Sequence, residues 1–569
     1  MARDRGALGG DISHALAGKQ NRGRTTLVGA SAIRNDPRLA CARVARQYGR
    51  EGTGFPHGGV TFLAMAPPLA HLWMHAGQRG RAIRTTRDPW TQRIAYQLAM
   101  GMPPLPGVTL MRRCLSVLAL ALGSAPVLAV DGLLDSSFGV FSTGRNFVAL
   151  DIGGSNSDTL ADVLVNPQGQ IYLIGTAKGA GATSRYSITR LTPAGLIDES
   201  FGIDGTVLSS AAMNADARRA RFDASGNIVI VGRRTFGGTD TDFNVCRHDQ
   251  QGAAVPFSGP GTTCVVFAFD IEGGNLADVP NDFIIDPSGR IVMAGVAGFS
   301  ATNTFAALAR MLPDGTLDPA FGTNGKRTHA FTPGQLNRFN AIARRPDGKF
   351  IAVGESGNPA AENGTGALFS RLTVNGSLDP TFQNSIGFTI YNVNQGDPFN
   401  RNEAATAITI LSDGKMLMSG WAQTGSVSQR NIVFIYKIAP LDFVNVDPSF
   451  GTGGSLKIGG GFSLDPGDML VQSDGKIVLT ATVRPSAGTA DAQVIRLLPD
   501  GTLDSSSFGT IGRTTIDYVF PGELDLGIRA ASQNGRLIIA GHSLRALPEN
   551  FDLTVARLAN DLIFADGIE

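Results

Sequence analysis

From about residue 130 onward, short apolar runs framed by tight turns recur along the chain. In the unit around Gly348, Phe339–Arg344 is apolar-rich, Pro346-Asp347-Gly348 is a turn, and Phe350–Val353 is an unbroken apolar run. A polar loop leads to Ala367–Leu372. A second turn, Val374-Asn375-Gly376, then leads through Leu378-Asp379-Pro380-Thr381-Phe382 to Phe388–Val393. In such turns proline presets φ, aspartate bonds its own backbone and glycine accepts φ > 0. Unbroken apolar runs this short predict strands covered on both faces.

The pattern repeats. Its first-turn glycines are Gly169, Gly226, Gly289, Gly348, Gly414, Gly475 and Gly535, a period near 60. A basic residue, Arg190, Arg247, Arg310, Arg371, Lys437, Arg496 or Arg557, follows each glycine by 21 to 23 residues. Two markers that keep one period through seven copies define a repeat protein. Four-stranded sheets stacked radially cover one another and leave only short edges. The expectation is therefore an all-β, seven-bladed β-propeller spanning residues 130–560.

The two ends predict how the ring closes. The last unit stops at Arg557-Leu558 without a Leu-Asp-x-x-Phe element, and that element stands near the other end as Leu134-Asp135-Ser136-Ser137-Phe138-Gly139. The N-terminal strand is expected to pair into the last blade, which removes two open sheet edges.

These motifs resemble the delta-60 repeat family, exported bacterial propeller-like proteins. The resemblance rests on Arg-Leu-x-Pro-Asp-Gly-x-Leu-Asp-x-x-Phe-Gly, nearly complete at Arg310, Arg371 and Arg496 and recognisable at Arg190. It implies a fold and an exported location, and it brings no activity or catalytic residues. Two units depart from the pattern. The one after Arg247 lacks the Leu-Asp pair, and Ala481 stands where the other units carry a strand glycine, so both blades are expected to be distorted.

Composition changes the reading of the first 129 residues. Residues 1–110 hold fifteen Lys/Arg against five acids, show no repeat, and read either as a basic arm or as a disordered or non-native upstream extension. Met111-Arg112-Arg113, the apolar Cys114–Leu122 and the ending Val127-Leu128-Ala129 have the form of a secretory signal peptide. That favours the extension, with Met111 as initiator and cleavage after Ala129. The mature 440 residues would carry 32 Lys/Arg and 43 Asp/Glu. So acidic a body argues against nucleic-acid binding. No later apolar run is long enough to span a bilayer. The tail 561–569 is set apart as a short C-terminal ending that reads as a sorting tag or a frayed end.

Cys246 and Cys264 flank the degenerate turn of the second unit, and export would allow a disulfide there; the alternative is a pair of buried thiols. The repeat aspartates Asp135, Asp198, Asp318, Asp379, Asp447 and Asp504 recur once per blade, which suits turn capping better than catalysis. Asp240 and Asp242, read as loop residues, lack the remainder of a calcium loop. His248, His329 and His542 fall in different units without zinc spacing. Trp421 reads as a core residue or as an exposed platform for a sugar. No catalytic, cofactor or metal residue is assigned.

The long, irregular connections should share one face, at Lys178–Arg185, Ser356–Gly366, Asn392–Glu403, Ala422–Arg430 and Arg484–Asp491. Binding residues concentrate on such loops. The function expected is a secreted, non-catalytic, monomeric binding or surface-interaction scaffold for a protein or glycan. The alternatives are a propeller enzyme acting on carbohydrate and a purely structural surface component. A cluster of unlike acidic and basic side chains at the channel mouth would favour the enzyme.

Overall fold

The computed structural model describes residues 131–559, less residue 151 and the segments 153–156, 179–182, 238–239, 259–262, 274–275, 301, 362–363, 394–401, 424–429, 441, 444, 460–462, 486–488, 519–523 and 547–549. The upstream extension 1–110, the leader 111–129 and the tail 561–569 lie outside the described residues.

The described residues form seven four-stranded antiparallel sheets. Blades 1 to 7 are numbered by their innermost strands, Thr159–Val165, Ala215–Phe222, Val279–Ile285, Leu336–Arg344, Glu403–Ile410, Ser463–Val471 and Asp525–Gln533. In blade 4 the chain then runs outward through Phe350–Gly357, Thr365–Leu372 and Phe388–Tyr391. The second strand outlasts its apolar run because the ladder continues to Gly357↔Thr365, which shortens the loop expected at Ser356–Gly366. Among the described residues no helix is long and apolar enough to cross a membrane.

Alternation along a strand explains the unbroken apolar runs. Phe350 and Ala352 pack with Val292, Ala294 and Leu308 of blade 3. Ile351 and Val353 pack with Ala405, Met418 and Phe434 of blade 5. Successive side chains point to opposite faces, and here both faces lie between blades. The core is therefore a ring of inter-blade layers.

The ring closes through the N-terminal segment. Arg145–Val148 pairs antiparallel with Asn550–Leu558 of blade 7, in the register Arg145↔Ala556 to Val148↔Leu553. Asp135 N–H donates to Arg557 O at 2.8 Å, and Leu134 bridges Leu558. Blade 7 is thus assembled from residues more than four hundred positions apart, Arg557 and Asp135 differing by 422.

Each innermost strand carries a register shift in its first half or middle, as at Leu160/Asp162, Ala217/Arg219 and Phe339/Ala341. The strand glycine of the repeat sits opposite this bulge. A Cβ on Gly354 would lie 2.0 Å from Arg338 O, and one on Gly420 2.0 Å from Ala404 O. Ala481 is accommodated because the bulge facing it is wider, from Pro466 to Met469. The expected distortion of blade 6 is confined to that longer break in the ladder, where residues 467–468 face Thr480. Blade 2, which lacks the Leu-Asp pair, keeps its four strands, with an added register irregularity at Thr235/Gly237.

Candidate functional site

The repeat aspartates fold into a latch. In blade 3, Asp318 Oδ1 accepts the Ala320 N–H at 2.9 Å, a turn cap, while Oδ2 accepts Arg310 Nε–H at 2.7 Å. The same guanidinium lies 4.7 Å over the Phe321 ring and donates from Nη1 to Val374 O of blade 4 at 2.6 Å. Phe321 in turn fills the place of a side chain on Gly376 of blade 4, where φ is +82° and a Cβ would meet the ring at 2.5 Å. Arg190–Asp198, Arg371–Asp379, Arg496–Asp504 and Arg557–Asp135 repeat the pair at 2.7–2.9 Å. Blade 5 substitutes Lys437 over Phe450, and Asp447 pairs with Lys415 at 2.8 Å. In blade 2 Arg247 stacks on Phe257 at 4.4 Å without a repeat aspartate beside it. Burial alone would raise Asp379, but hydrogen bonds from Lys349 and Thr381 and the Arg371 charge hold it at about 2. A carboxylate held this way serves as an anchor, not as a proton donor.

The other singled-out residues are dispersed. Cys246 and Cys264 stand opposite one another in the strands Asp240–His248 and Cys264–Phe267, with their sulfurs bonded at 2.04 Å. Trp421 is buried in the strand Met416–Gln423 and offers no exposed platform. His248 shares a 2.9 Å hydrogen bond with the Tyr186 hydroxyl, His329 Nε2–H donates to Gly376 O, and His542 Nδ1 accepts from Leu160 N–H. Asp240 and Asp242 lie in a strand, contrary to the loop expected for them, because the Asp240–His248 ladder begins at Gly237↔Asp240. Asp242, Asp270 and Asp278 bring carboxylate oxygens within 4.8 Å of one another. Asp278 is a brace there. It accepts the Phe269 and Gly298 N–H groups, as Asp158, Glu403 and Asp525 accept from Leu150, Val393 and Tyr518, and burial raises it to about 6.

One charged group has no counterpart in the repeat. At the inner-strand bulges, Asp162 of blade 1, Arg219 of blade 2, Asp282 of blade 3, Asp468 of blade 6 and Arg529 of blade 7 converge on the axis. Arg219 stands 3.9 Å from Asp162, 3.9 Å from Asp282 and 4.0 Å from Asp468, which lies across the ring. Arg529 stands 3.9 Å from Asp162. These are ion pairs without direct hydrogen bonds. Arg219 Nε is buried with no hydrogen-bond partner among the described residues.

Part of the group is tied to backbone freed by the bulges. Asp162 Oδ2 accepts Ala220 N–H at 2.9 Å and Asp282 Oδ2 accepts Ile342 N–H at 3.0 Å, each on the following blade. Asn281 and Asn340 donate to Phe339 O and Ala405 O, and Arg529 Nε–H to Ala161 O. Burial pushes Arg219 down, but its three carboxylates outweigh that and raise it. Burial and the nearby charge of Arg219 lower Arg529 to about 10. The group was not anticipated from sequence. A charged residue in the middle of an apolar inner strand was the available signal, and it does not recur with the period.

The model of the family described as domain of unknown function (DUF5122) beta-propeller matches residues 287–321, 345–382 and 472–506. The chain is a β-propeller repeat protein. Each matched stretch begins at the inner-strand turn and ends at or just before the latch phenylalanine. No curated protein matches the chain. Similar solved structures include a protein of unknown function from Dyadobacter fermentans, at 12% identity over 74% of this chain and 100% of that one, with a TM-score of 0.32. Drosophila Semaphorin 2a is similar at 10% identity over 72% of this propeller chain and 75% of its own, TM-score 0.38. An alpha-L-arabinofuranosidase from Lactobacillus brevis is similar at 11% identity over 49% and 90%, TM-score 0.29. None of these likenesses bears on function.

Proposed function

We propose that this propeller is an exported, monomeric, non-catalytic scaffold that holds a protein or glycan on its irregular-loop face. The observation that carries this reading is the fate of the recurrent carboxylates. Asp135, Asp198, Asp318, Asp379, Asp447 and Asp504 are all bonded to Arg or Lys, so the repeat builds rigidity. Binding loops gain affinity from a frame that is already ordered. The secretory form of Met111–Ala129 supports export of the mature chain.

Glycan and protein arrays probed with residues 130–569 test the reading. The expected result is saturable binding to a defined class, with no turnover of the bound material. Release of product from a bound glycan would replace it with the second reading.

That second reading is a propeller enzyme acting on carbohydrate. It is favoured by the axial group, in which Asp162, Asp282 and Asp468 face Arg219 and Arg529. Asp162 and Asp282 each commit an oxygen to backbone N–H, which leaves Asp468 as the carboxylate least engaged by the next blade. Activity abolished by Asp468→Asn without loss of fold would support the enzyme.

A further inference from the structure

We propose that the irregular-face end of the channel is a pocket for one neutral, polyhydroxylated unit, such as the terminal sugar of a glycan, with Arg219 as its floor. The proposal deepens the binding reading above and rests on it. Depth is set by the bulges. The five charged residues fall three to five positions into inner strands that enter from the irregular face, so the group lies roughly 10–16 Å below that mouth at about 3.3 Å per residue. Asp468 and Arg529 keep 19% and 18% of their side chains exposed, so the channel reaches them.

The chemistry follows from what is left unsatisfied. Arg219 meets three carboxylates at 3.9–4.0 Å, each too far for a direct hydrogen bond, and its Nε has no hydrogen-bond partner among the described residues. Thr406 occupies the bulge position of blade 5 that Asn281 and Asn340 hold in blades 3 and 4, and its Oγ1 is likewise buried and unpaired. Separations of about 4 Å between charged groups call for a bridging hydroxyl or water. A hydroxyl accepts from a guanidinium and donates to a carboxylate at once. An anion entering the same space would face Asp162, Asp282 and Asp468, and a cation would face Arg219 and Arg529. A ligand bearing several neutral hydroxyls meets neither penalty. For one sugar unit held through hydrogen bonds alone, affinity should be on the order of 1 mM.

Saturation-transfer NMR on residues 130–569 tests this with D-glucose, D-galactose, L-arabinose and myo-inositol, and with glucuronate and glucosamine as charged controls. Transfer to at least one neutral probe is expected. It should weaken about ten-fold in Arg219→Met and measurably in Asp468→Asn, with the charged controls weaker than their neutral counterpart. Arg219→Met leaves three carboxylates without their common partner and can fail to fold; Asp468→Asn removes charge without that risk and then decides. The proposal falls if no neutral probe shows transfer, if a charged control binds best, or if Asp468→Asn binds as the wild type does. Array binding that survives in Asp468→Asn with no neutral-probe transfer would sink the axial pocket and leave the face-binding reading standing.

Discussion

Arg310 holds three contacts with one planar group: a carboxylate in its own blade, a phenylalanine ring below it and a carbonyl of the next blade. Lysine cannot reproduce the fork or the stack together. Arg310→Met would strand Asp318, whose side chain is 8% exposed, and removing one partner of a buried pair costs about 3–5 kcal/mol. Chemical unfolding should show that loss, with a smaller one for Arg310→Lys; a loss under about 1 kcal/mol would mean the pair is ornamental. The histidines act at the same scale. Burial pushes both His329 and His542 down from 6.5 to about 4. Their contribution is therefore complete above pH 6.5 and drains as the pH falls toward 4, at about 1.4 kcal/mol per pH unit for each. Asp278, raised to about 6, has the opposite sign and costs stability as the pH rises through that value. Urea midpoints at pH 7.5 and 5 should separate the effects, and the double variant His329→Gln, His542→Gln should flatten the slope. An unchanged slope would assign the acid sensitivity elsewhere. The latch residues were visible in sequence as a recurrence, and what recurrence omits is reach. Asp318 read as a turn cap, which it is; its bond to Arg310 and that arginine's grip on Val374, 64 residues on, are facts of the stacked ring.

At the scale of the element, one glycine per blade is fixed by the inner-strand bulge. Gly354→Ala would press a methyl against Arg338 O, and forcing that strand aside should cost about 1–3 kcal/mol. Ala481→Gly, opposite the wider bulge at Pro466–Met469, should cost only the roughly 0.5–1 kcal/mol of backbone entropy that glycine adds in a strand and about 0.8 kcal/mol for the buried methyl, with no backbone displacement. Thermal unfolding of the two variants checks the contrast. Equal losses would mean that the bulge does not set the requirement. Sequence reading marked Ala481 as a departure, because a missing glycine is conspicuous in a periodic pattern. It could not supply the remedy, since the compensating change is a longer break in the ladder, where residues 467–468 face Thr480. The axial group was hidden for a related reason. Asp162, Arg219, Asp282, Asp468 and Arg529 are unlike residues in similar places, and only the bulges turn them toward one another; the recurring strand glycine marks the bulge but not the charge it carries.

For the whole molecule the decisive joint is the one between the ends. Seven blades were countable from the spacing, and closure followed from a Leu-Asp-x-x-Phe element displaced to the front of the chain. In the structure that segment supplies far more than a strand. Asp131 pairs with Arg496 at 2.6 Å, Gly132 covers Phe508, Asp135 pairs with Arg557, and Phe138 lies 4.7 Å beneath the Arg557 guanidinium and against Gly195 of blade 1. Blades 6, 7 and 1 thus depend on residues 131–148. A chain beginning at Ala149 would leave Arg496 and Arg557 without those partners, and bare the Leu553 and Val555 edge of blade 7. It should lose cooperative unfolding and become sensitive to protease around blade 7, and a peptide of residues 131–148 added in trans should restore both. A circular permutant that joins residue 559 to residue 131 and opens between blades 3 and 4 retains every one of these contacts while moving the break. If permutant and truncation are equally destabilised, any interruption of the ring is costly and the latch at Arg557 has no special part. If the permutant melts near the parent while the truncation does not, stability resides in the specific contacts of the closing segment, which is the outcome expected from the ion pairs and the phenylalanine that it delivers.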